Sequence, residues 1–280
     1  MLQSPSYLIV GAGYLGGALA RALVQSSQAA TVLRRRAEPI EGAQLIQADL
    51  ARPETLKDLP LCTHLVYAAA ADSSSEAAYR SIYVDGLRNI LQALELRGCT
   101  PRVFYTSSTS VYAADDGSEV DERSGIIAQK GLGAIIAEGE RWLLAGPWTT
   151  TIVRFGGIYG PQRTYFLRRV WERKEVLFEG PPLYTNRIHQ ADCVGMLMHL
   201  MGDKGLKGGI YNGVDCDAAD RNSVIRWMAE ELGIPIEELS VSADRSLVSH
   251  RGQNACSIKR SWRPVIATFS RPFARAIAPS

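Results

Sequence analysis

The sequence predicts an α/β fold built on a doubly wound parallel sheet of the Rossmann type, with a small C-terminal region. Short apolar runs alternate with segments of helical periodicity, a pattern typical of parallel sheets with right-handed crossovers. A glycine-rich turn joins the first apolar run to the first helical segment. The length of 280 residues is sufficient to bury a large core.

The predicted elements follow from the spacing of the apolar residues. Strands are predicted at Tyr7–Val10, Ala30–Leu33, Leu45–Gln47, His64–Ala68, Val103–Thr106 and Thr151–Phe155. Helices are predicted at Tyr14–Gln25, Glu76–Leu96, Leu132–Ala145, Ala191–Met201 and Arg221–Leu232. Because doubly wound sheets bind ligands beyond the carboxyl ends of their strands, four segments are expected around one crevice: Gly11–Gly16, Ala68–Ala71, Ser107–Tyr112 and Phe155–Gly160.

The turn after the first strand has the G-x-G-x-x-G pattern of a dinucleotide-binding loop. Gly11 permits a tight turn, Gly13 lets the backbone approach a diphosphate, and Gly16 lets the helix pack on the strand. The diphosphate is expected at the unpaired N–H groups of the helix start, beside Tyr14 and Leu15. The strand-turn-helix context makes this pattern more specific than an isolated glycine cluster.

Residues 1–155 are therefore predicted to form a nucleotide-binding Rossmann domain, and residues 156–280 a C-terminal substrate-side region. Residues 187–212 are expected to rejoin the Rossmann core. The segment between Pro161 and Arg187 is basic and aromatic. It is short for binding a substrate that contains a whole nucleotide.

Composition excludes several classes of protein. A net charge of +2 is too small to indicate nucleic acid or a membrane surface as the partner, and a small-molecule substrate is expected instead. The five cysteines, scattered without C-x-x-C or neighbouring histidines, indicate reduced thiols in a cytoplasmic protein and no metal site. The N-terminal residues carry no signal-peptide pattern, and no apolar run approaches the length of a membrane span.

Further motifs follow in order along nearly the whole chain: Ala48-Asp49-Leu50, Tyr105–Tyr112 (Y-T-S-S-T-S-V-Y), Arg154–Pro161 (R-F-G-G-I-Y-G-P), Asn186–Asp192 (N-R-I-H-Q-A-D) and Tyr211-Asn212-Gly213. Together with the glycine loop they resemble the NAD-dependent epimerase/dehydratase family, the extended short-chain dehydrogenase/reductases. The resemblance implies an NAD(P)-binding Rossmann fold and oxidoreductase chemistry. It places Asp49 and Leu50 near the adenine, and Ala68, Ala69, Ala70, Phe155 and Gly156 along the cofactor.

The chain departs from the family at its proton-transfer residues. The family carries Tyr-x-x-x-Lys on the helix after Tyr112, where the lysine lowers the pKa of the tyrosine. Here the corresponding stretch, residues 128–138, has no tyrosine, and its one lysine is Lys130. An asparagine of the family is replaced by Tyr83. Only Ser108 remains from the proton-handling set.

The catalytic candidates are therefore Ser108, Tyr112, Tyr83 and Lys130, each with a structural alternative. Ser108 either holds a substrate oxygen or bonds the local backbone as a turn hydroxyl. Tyr112 and Tyr83 either act as general acid or are packing aromatics. Lys130 either points into the site or is a loop charge.

For NAD, the family has a carboxylate at the end of the second strand. This chain has Arg34, followed by Arg35 and Arg36, and guanidinium groups bind a 2′-phosphate with paired donors. The sequence therefore predicts NADP, with NADPH favoured over NADH, unless the arginines are only a solvated surface run. Arg163 and Arg187 are predicted to bind substrate, and His189 is interpreted as a structural histidine.

Three functions are consistent with the sequence. In the first, the chain is an NADP(H)-dependent oxidoreductase or epimerase/dehydratase-type enzyme. It acts on a small, anionic or sugar-like substrate by non-standard proton transfer. Alternatively it is an inactive NADP(H)-binding sensor or regulatory module, or it holds a tightly bound cofactor as a scaffold or internal redox group during an isomerisation or dehydration. Homodimerisation through Glu76–Leu96 and Leu132–Ala145, affected by Glu138 and Glu140, is an expectation from analogy.

Overall fold

The computed structural model describes residues 5–112, 118–125, 128–244, 247 and 255–256. A seven-stranded sheet, parallel throughout, forms its centre in the order β11-β7-β5-β4-β1-β2-β3. These strands are β1 Ser6–Val10, β2 Ala29–Arg34, β3 Gln44–Gln47, β4 His64–Tyr67, β5 Arg102–Ser108, β7 Thr150–Phe155 and β11 Gly209–Gly213. The strand order confirms the doubly wound α/β fold.

Helices cover both faces of the sheet, and short strand pairs lie outside it. The helices are α1 Tyr14–Gln25, α2 Glu76–Arg80, α3 Leu87–Leu96, α4 Gly131–Ala145, α5 Tyr165–Trp171, α6 Gln190–Gly202 and α7 Arg221–Glu231. The short parallel pairs are β8 Gly157–Tyr159 with β10 Arg187–His189, β9 Val176–Phe178 with β12 Ser240–Ser242, and β6 Glu119–Val120 with β13 Ala255–Cys256. Every strand and helix predicted from the sequence is present, with ends shifted by one or two residues.

The order of the strands fixes the position of the crevice. The chain builds β1, β2 and β3 toward one edge and then returns to place β4 on the other side of β1. The connections that follow β1 and β4 therefore lead in opposite directions, to β2 on one side and to β5 on the other. Ligands of doubly wound sheets bind at such a reversal of strand order.

One predicted helix contains an irregularity. The segment predicted as Glu76–Leu96 is helical throughout, but Ser81–Gly86 winds as a π-helix between α2 and α3. The Tyr67 hydroxyl donates a hydrogen bond to the Ile82 carbonyl (2.5 Å), so this carbonyl of the irregular turn has a partner. Such π-turns occur frequently at functional sites. Here the turn carries Tyr83.

A buried ion pair joins α4 to the sheet. Glu140 on α4 has no exposed surface and accepts from the Arg154 guanidinium (Nη2 to Oε2, 2.6 Å) and from the Ser107 hydroxyl (2.5 Å). Breaking such a pair on one side costs about 3–5 kcal/mol, because the other charge is left buried and uncompensated. Glu140 is therefore a core residue, which corrects the expectation that it affects a dimer interface. Glu138 lies on the surface and pairs with Arg80 (3.0 Å).

The C-terminal region has its own small hydrophobic cluster. It is built from α5, β9 and α7 by Val170, Leu177, Val224, Ile225, Met228, Ala229, Ile234 and Leu239. The buried carboxylate of Glu175 accepts hydrogen bonds from Arg169 and Arg221 and ties these elements together. Between β10 and α7 the chain returns to the sheet, since β11 pairs with β7. The exact domain limits predicted from the sequence stay a prediction.

The cysteines and the described helices bear on the expectations drawn from composition. Cys62, Cys99 and Cys193 are buried free thiols and Cys216 is an exposed one, whereas the side chain of Cys256 lies outside the described residues. In the described part of the chain, no group of three or more His, Cys, Asp or Glu side chains is arranged for a metal ion. None of the described helices has the length and apolar character needed to cross a bilayer.

Candidate functional site

The glycine-rich turn is held against the neighbouring loop by contacts that exclude side chains. Gly11 has φ +88°, and a Cβ built there would lie 2.4 Å from the Ala69 Cα. A Cβ on Gly16 would lie 2.2 Å from the Gly11 carbonyl oxygen. The two glycines are therefore required by close backbone packing between the turn, α1 and the loop after β4.

Gly13 has a different environment. Apart from the neighbouring residues of the same turn, no described atom lies within 4 Å of the position that its Cβ would take. Gly13 is the N-cap of α1, and the helix has neither a side-chain cap nor an acidic residue in its first turn. The N–H groups of that turn thus lack a side-chain acceptor beside open space, an arrangement that fits the diphosphate of a dinucleotide.

A cleft of about 940 Å³ opens over this turn. It is lined by nearly all of the residues predicted to bind the cofactor, namely Gly11, Gly13, Tyr14, Leu15, Arg34, Arg35, Asp49, Leu50, Ala68, Ala69, Ala70, Phe155 and Gly156. Gly16 does not line it, because it lies beneath the turn in contact with Gly11. The volume is at the upper end of the range typical of ligand pockets, about 300–1,000 Å³.

The arginines after β2 lie at one end of the cleft, and two of them already have carboxylate partners. Arg34 donates to Glu38 (2.5 Å), and Arg35 donates to both carboxylate oxygens of Asp72 (2.7 and 2.6 Å). Glu38 and Asp72 are well exposed, so both pairs are surface ion pairs of little net stability. A second cavity of about 480 Å³ adjoins this end and is lined by Arg21, Arg34 and Glu38 among others.

Helix α4 presents an apolar wall to the opposite part of the cleft. Leu132 and Ile136, four residues apart, line the cleft together with Gly133. This spacing is that of the tyrosine and lysine which the family carries on the same helix. Lys130, by contrast, is exposed at the N-cap of α4 and is not among the described residues that line the cleft. This exposed position favours the alternative that Lys130 is a loop charge over the one that it points into the site.

Two residues that carry hydroxyl groups line the cleft, one from β5 and one from the π-turn. Ser108 is half-buried and lines the cleft, and its oxygen accepts from the Ser110 N–H (3.1 Å). Tyr83 also lines the cleft. Burial, and to a lesser degree the neighbouring phenol of Tyr79, raises the pKa of Tyr83 to about 12. Two of the four catalytic candidates thus share the cleft with the glycine turn.

Tyr79 is a cleft residue that the sequence analysis missed. It lies one turn before Tyr83, and the two rings pack at 5.0 Å between centroids. The four-residue spacing on a predicted helix was the available signal. Leu132 and Ile136 have the same spacing, but as apolar residues on a helix they were indistinguishable from core positions.

Tyr112 lies in the core and not in the cleft. It has no exposed surface, and its hydroxyl donates to the Asn212 side-chain oxygen (2.8 Å). The Arg154 guanidinium carbon lies 4.7 Å from the centroid of the Tyr112 ring. A phenol so bonded and buried cannot reach a substrate, which corrects the assignment of Tyr112 as a general acid.

The two arginines predicted to bind substrate have different positions. Arg163 lines the cleft, with its guanidinium carbon 4.3 Å from the centroid of the Tyr14 ring. Arg187 is half-buried in β10, and it is not one of the described cleft residues. Burial lowers the pKa of Arg187, with Asp215 opposing that effect. Arg187 therefore lies in a polar cluster with Asp215, apart from the described lining of the cleft, and its assignment to substrate binding stays a prediction.

That cluster contains two carboxyl groups whose pKa values are raised by burial. The pKa of Asp192 rises to about 6 and that of Asp215 to about 7, where Arg187 partly opposes the effect of burial. One oxygen of each carboxylate lacks a hydrogen-bond partner among the described residues. His189 accepts from the Ala191 N–H (3.3 Å) and caps α6, in agreement with its interpretation as structural.

Comparisons with known proteins agree with this geometry. A sequence profile of the NAD dependent epimerase/dehydratase family matches residues 7–175. Protein YeeZ of Escherichia coli strain K12 is 28% identical over 249 residues, which cover 84% of this chain and 87% of YeeZ.

Solved structures resemble the chain over almost its full length. A putative NAD-dependent epimerase/dehydratase from Methylobacillus flagellatus is 30% identical with a TM-score of 0.76, covering 97% of this chain and 94% of that one. WbmG of Bordetella bronchiseptica, solved in complex with NAD, has a TM-score of 0.77 at 18% identity and covers 99% and 92%. The second likeness concerns the fold alone.

Asp215 predicts a pH dependence of stability. Its carboxyl ionises near its ordinary value of 3.8 when unfolded and at about 7 when folded, so wild-type stability falls as the pH rises between these values. We expect Asp215→Asn to gain about 2 kcal/mol relative to wild type between about pH 5 and about pH 8. Urea unfolding at both pH values measures this. Asp58→Asn, at an exposed position away from Asp215, serves as control, and an Asp215→Asn difference that does not change with pH would contradict the shift.

Proposed function

The chain belongs to the NAD dependent epimerase/dehydratase family, and from this we propose that it is an NADP(H)-dependent oxidoreductase that reduces a carbonyl group of a small, anionic or sugar-like substrate. The observation that carries the proposal is the shared position of Ser108 and Tyr83. Both line the cleft that opens over the glycine-rich turn. A substrate oxygen in that cleft therefore has hydroxyl donors within the same cavity as the cofactor site.

The lining of the cleft indicates which residues hold the dinucleotide. The first-turn amides of α1 bind the diphosphate above Gly13, and Asp49 and Leu50 lie toward the adenine. The nicotinamide, when bound, supplies the hydride. The rest of the cleft is small, because the dinucleotide occupies much of its volume of about 940 Å³. This favours a small substrate over a nucleotide sugar.

The preference for NADP rests on Arg34 and Arg35. Their ion pairs with exposed carboxylates are each worth about 0–1 kcal/mol. A 2′-phosphate offers stronger, paired hydrogen bonds to the same guanidinium groups. The second cavity, with Arg21 on its wall, gives this phosphate space beside Arg34. WbmG, one of the similar structures, was solved with NAD. The preference for NADP is therefore proposed from the residues of this chain and not from its structural neighbours.

Proton transfer is assigned to Tyr83, with Ser108 as the group that orients the substrate oxygen. The raised pKa of Tyr83, about 12, keeps its phenol protonated at neutral pH. A protonated phenol donates to an alkoxide, which is a much stronger base, but it does not take a proton from an alcohol. This favours carbonyl reduction as the working direction. Ser108 accepts from Ser110, which leaves its own hydrogen to donate to the substrate.

The cofactor preference is tested by titrating the protein with NADPH and NADH at moderate salt. We expect NADPH to bind at least tenfold more tightly, and Arg34→Ala to weaken NADPH by about tenfold with little effect on NADH. Arg226→Ala, an exposed arginine on α7, is the control. Equal affinities of wild type for the two coenzymes would refute the preference. Absence of binding by both would refute the proposed function.

The role of Tyr83 as proton donor is tested by removing its hydroxyl group and measuring turnover. With a panel of small carbonyl compounds, Tyr83→Phe is expected to lower the kcat of NADPH oxidation by about a hundredfold. The rate should show no loss from phenol ionisation between about pH 6 and about pH 10, since the pKa of Tyr83 is about 12. Tyr165→Phe, an exposed tyrosine of α5, is the control. Tight NADPH binding without turnover of any compound would establish the binding-module alternative.

A further inference from the structure

Arg163 lies where the C-terminal region meets the glycine-rich turn. Its guanidinium carbon is 4.3 Å from the centroid of the Tyr14 ring, and its Nη1 donates to the Ile158 carbonyl (3.1 Å). Tyr14 is the first residue of α1, next to the open space above Gly13. An arginine from the segment after β8 is thus fixed beside the first turn of α1.

The turn that carries Arg163 is closely fitted to Tyr14. Gly160 has φ +141°, and a Cβ there would lie 2.9 Å from the Tyr14 hydroxyl oxygen and 3.0 Å from His189 Nε2. Gln162 adopts φ +67°, an uncommon value for a residue with a side chain. The Gln190 side chain donates to the Tyr14 carbonyl (2.7 Å). The turn and the start of α6 therefore both contact Tyr14, which fixes the backbone that carries Arg163.

The charge of Arg163 differs from that of the other cleft arginines. Arg34 and Arg35 each pair with a carboxylate, whereas no described carboxylate lies within 4.0 Å of the Arg163 guanidinium. The N-terminus of α1 adds partial positive charge nearby. Stacking on a tyrosine contributes about 0.5–1 kcal/mol at an exposed site and does not neutralise this charge. The cation and the helix end together form a site for an anion.

We propose that Arg163 binds the diphosphate of the nicotinamide dinucleotide, together with the amides of the glycine-rich turn, and so ties the segment after β8 to the cofactor. This deepens the proposed function and rests on it. It also changes the role of Arg163 from a substrate ligand to a cofactor ligand.

Ligand fragments separate the diphosphate from the rest of the cofactor. The test measures the affinities of NADPH, of ADP-ribose, which contains the diphosphate, and of adenosine 2′,5′-bisphosphate, which contains only single phosphates. Titration calorimetry gives each affinity without turnover. Arg163→Met, which keeps an unbranched apolar stem, is compared with wild type. Arg168→Met is the matched control, because Arg168 is exposed on α5 and stacks on Tyr165 (5.9 Å) in a similar way.

Arg163→Met is expected to weaken NADPH and ADP-ribose by about tenfold and to leave the bisphosphate unchanged. Arg163→Lys should retain part of the affinity, since it keeps a point charge without the paired donors. Arg163→Gln provides a second neutral variant if the methionine variant folds poorly.

Unchanged affinity for ADP-ribose in the neutral variants would overturn the proposal, whatever happens to substrate turnover. An equal loss for all three ligands would overturn it as well, because it would indicate a general electrostatic field and not a diphosphate contact. Wild type that binds none of the three would instead refute the proposed function. The two failures are therefore distinguishable.

Discussion

The cleft depends on a close approach between backbones at the carboxyl ends of β1 and β4. Gly11 packs on Ala69 and Gly16 packs on the Gly11 carbonyl, at distances that leave no room for a Cβ at either glycine. This contact fixes the start of α1 relative to the loop after β4. The first-turn amides of α1 consequently face the space between the two loops, and that space is where strand order reverses.

Much of this arrangement was predictable because it is encoded locally. The glycine spacing requires a tight turn, and the alternation of strand and helix patterns requires a parallel sheet. The π-turn at Ser81–Gly86 was not predictable, since the apolar pattern of that segment is compatible with a regular helix. The turn is in close tertiary contact with α4, since a Cβ on Gly139 would lie 2.3 Å from the Tyr83 carbonyl oxygen.

The candidate site was less predictable, because the direction of a side chain is decided by packing. Tyr112 follows β5 as Ser108 does, yet its ring is buried beside Arg154 while Ser108 faces the cleft. Arg187 carries a charge but lies in an internal cluster with Asp215. Lys130 is near the cleft in sequence, but it caps α4 on the exposed side. The charge of a residue and its position in a motif therefore do not show whether its side chain lies in the cleft, in the core or on the surface.

The loss of the tyrosine and lysine from α4 has a structural counterpart elsewhere in the cleft. Leu132 and Ile136 make that wall apolar, while the π-turn brings a phenol to the wall next to it. A lowered pKa needs a nearby cation, and none is contributed by α4 among the described residues of the cleft. The proton transfer proposed for this chain therefore uses a neutral phenol, which suits donation and not abstraction.

The central claim is that a dinucleotide diphosphate binds against the backbone at Gly13. Gly13→Ala tests it most directly, because no described atom surrounds that position and the fold should tolerate the methyl group. Thermal unfolding with and without NADPH is the measurement. We expect the variant to unfold at the wild-type temperature alone, and to lose most of the increase that NADPH gives to wild type. An undiminished increase in the variant would contradict the account.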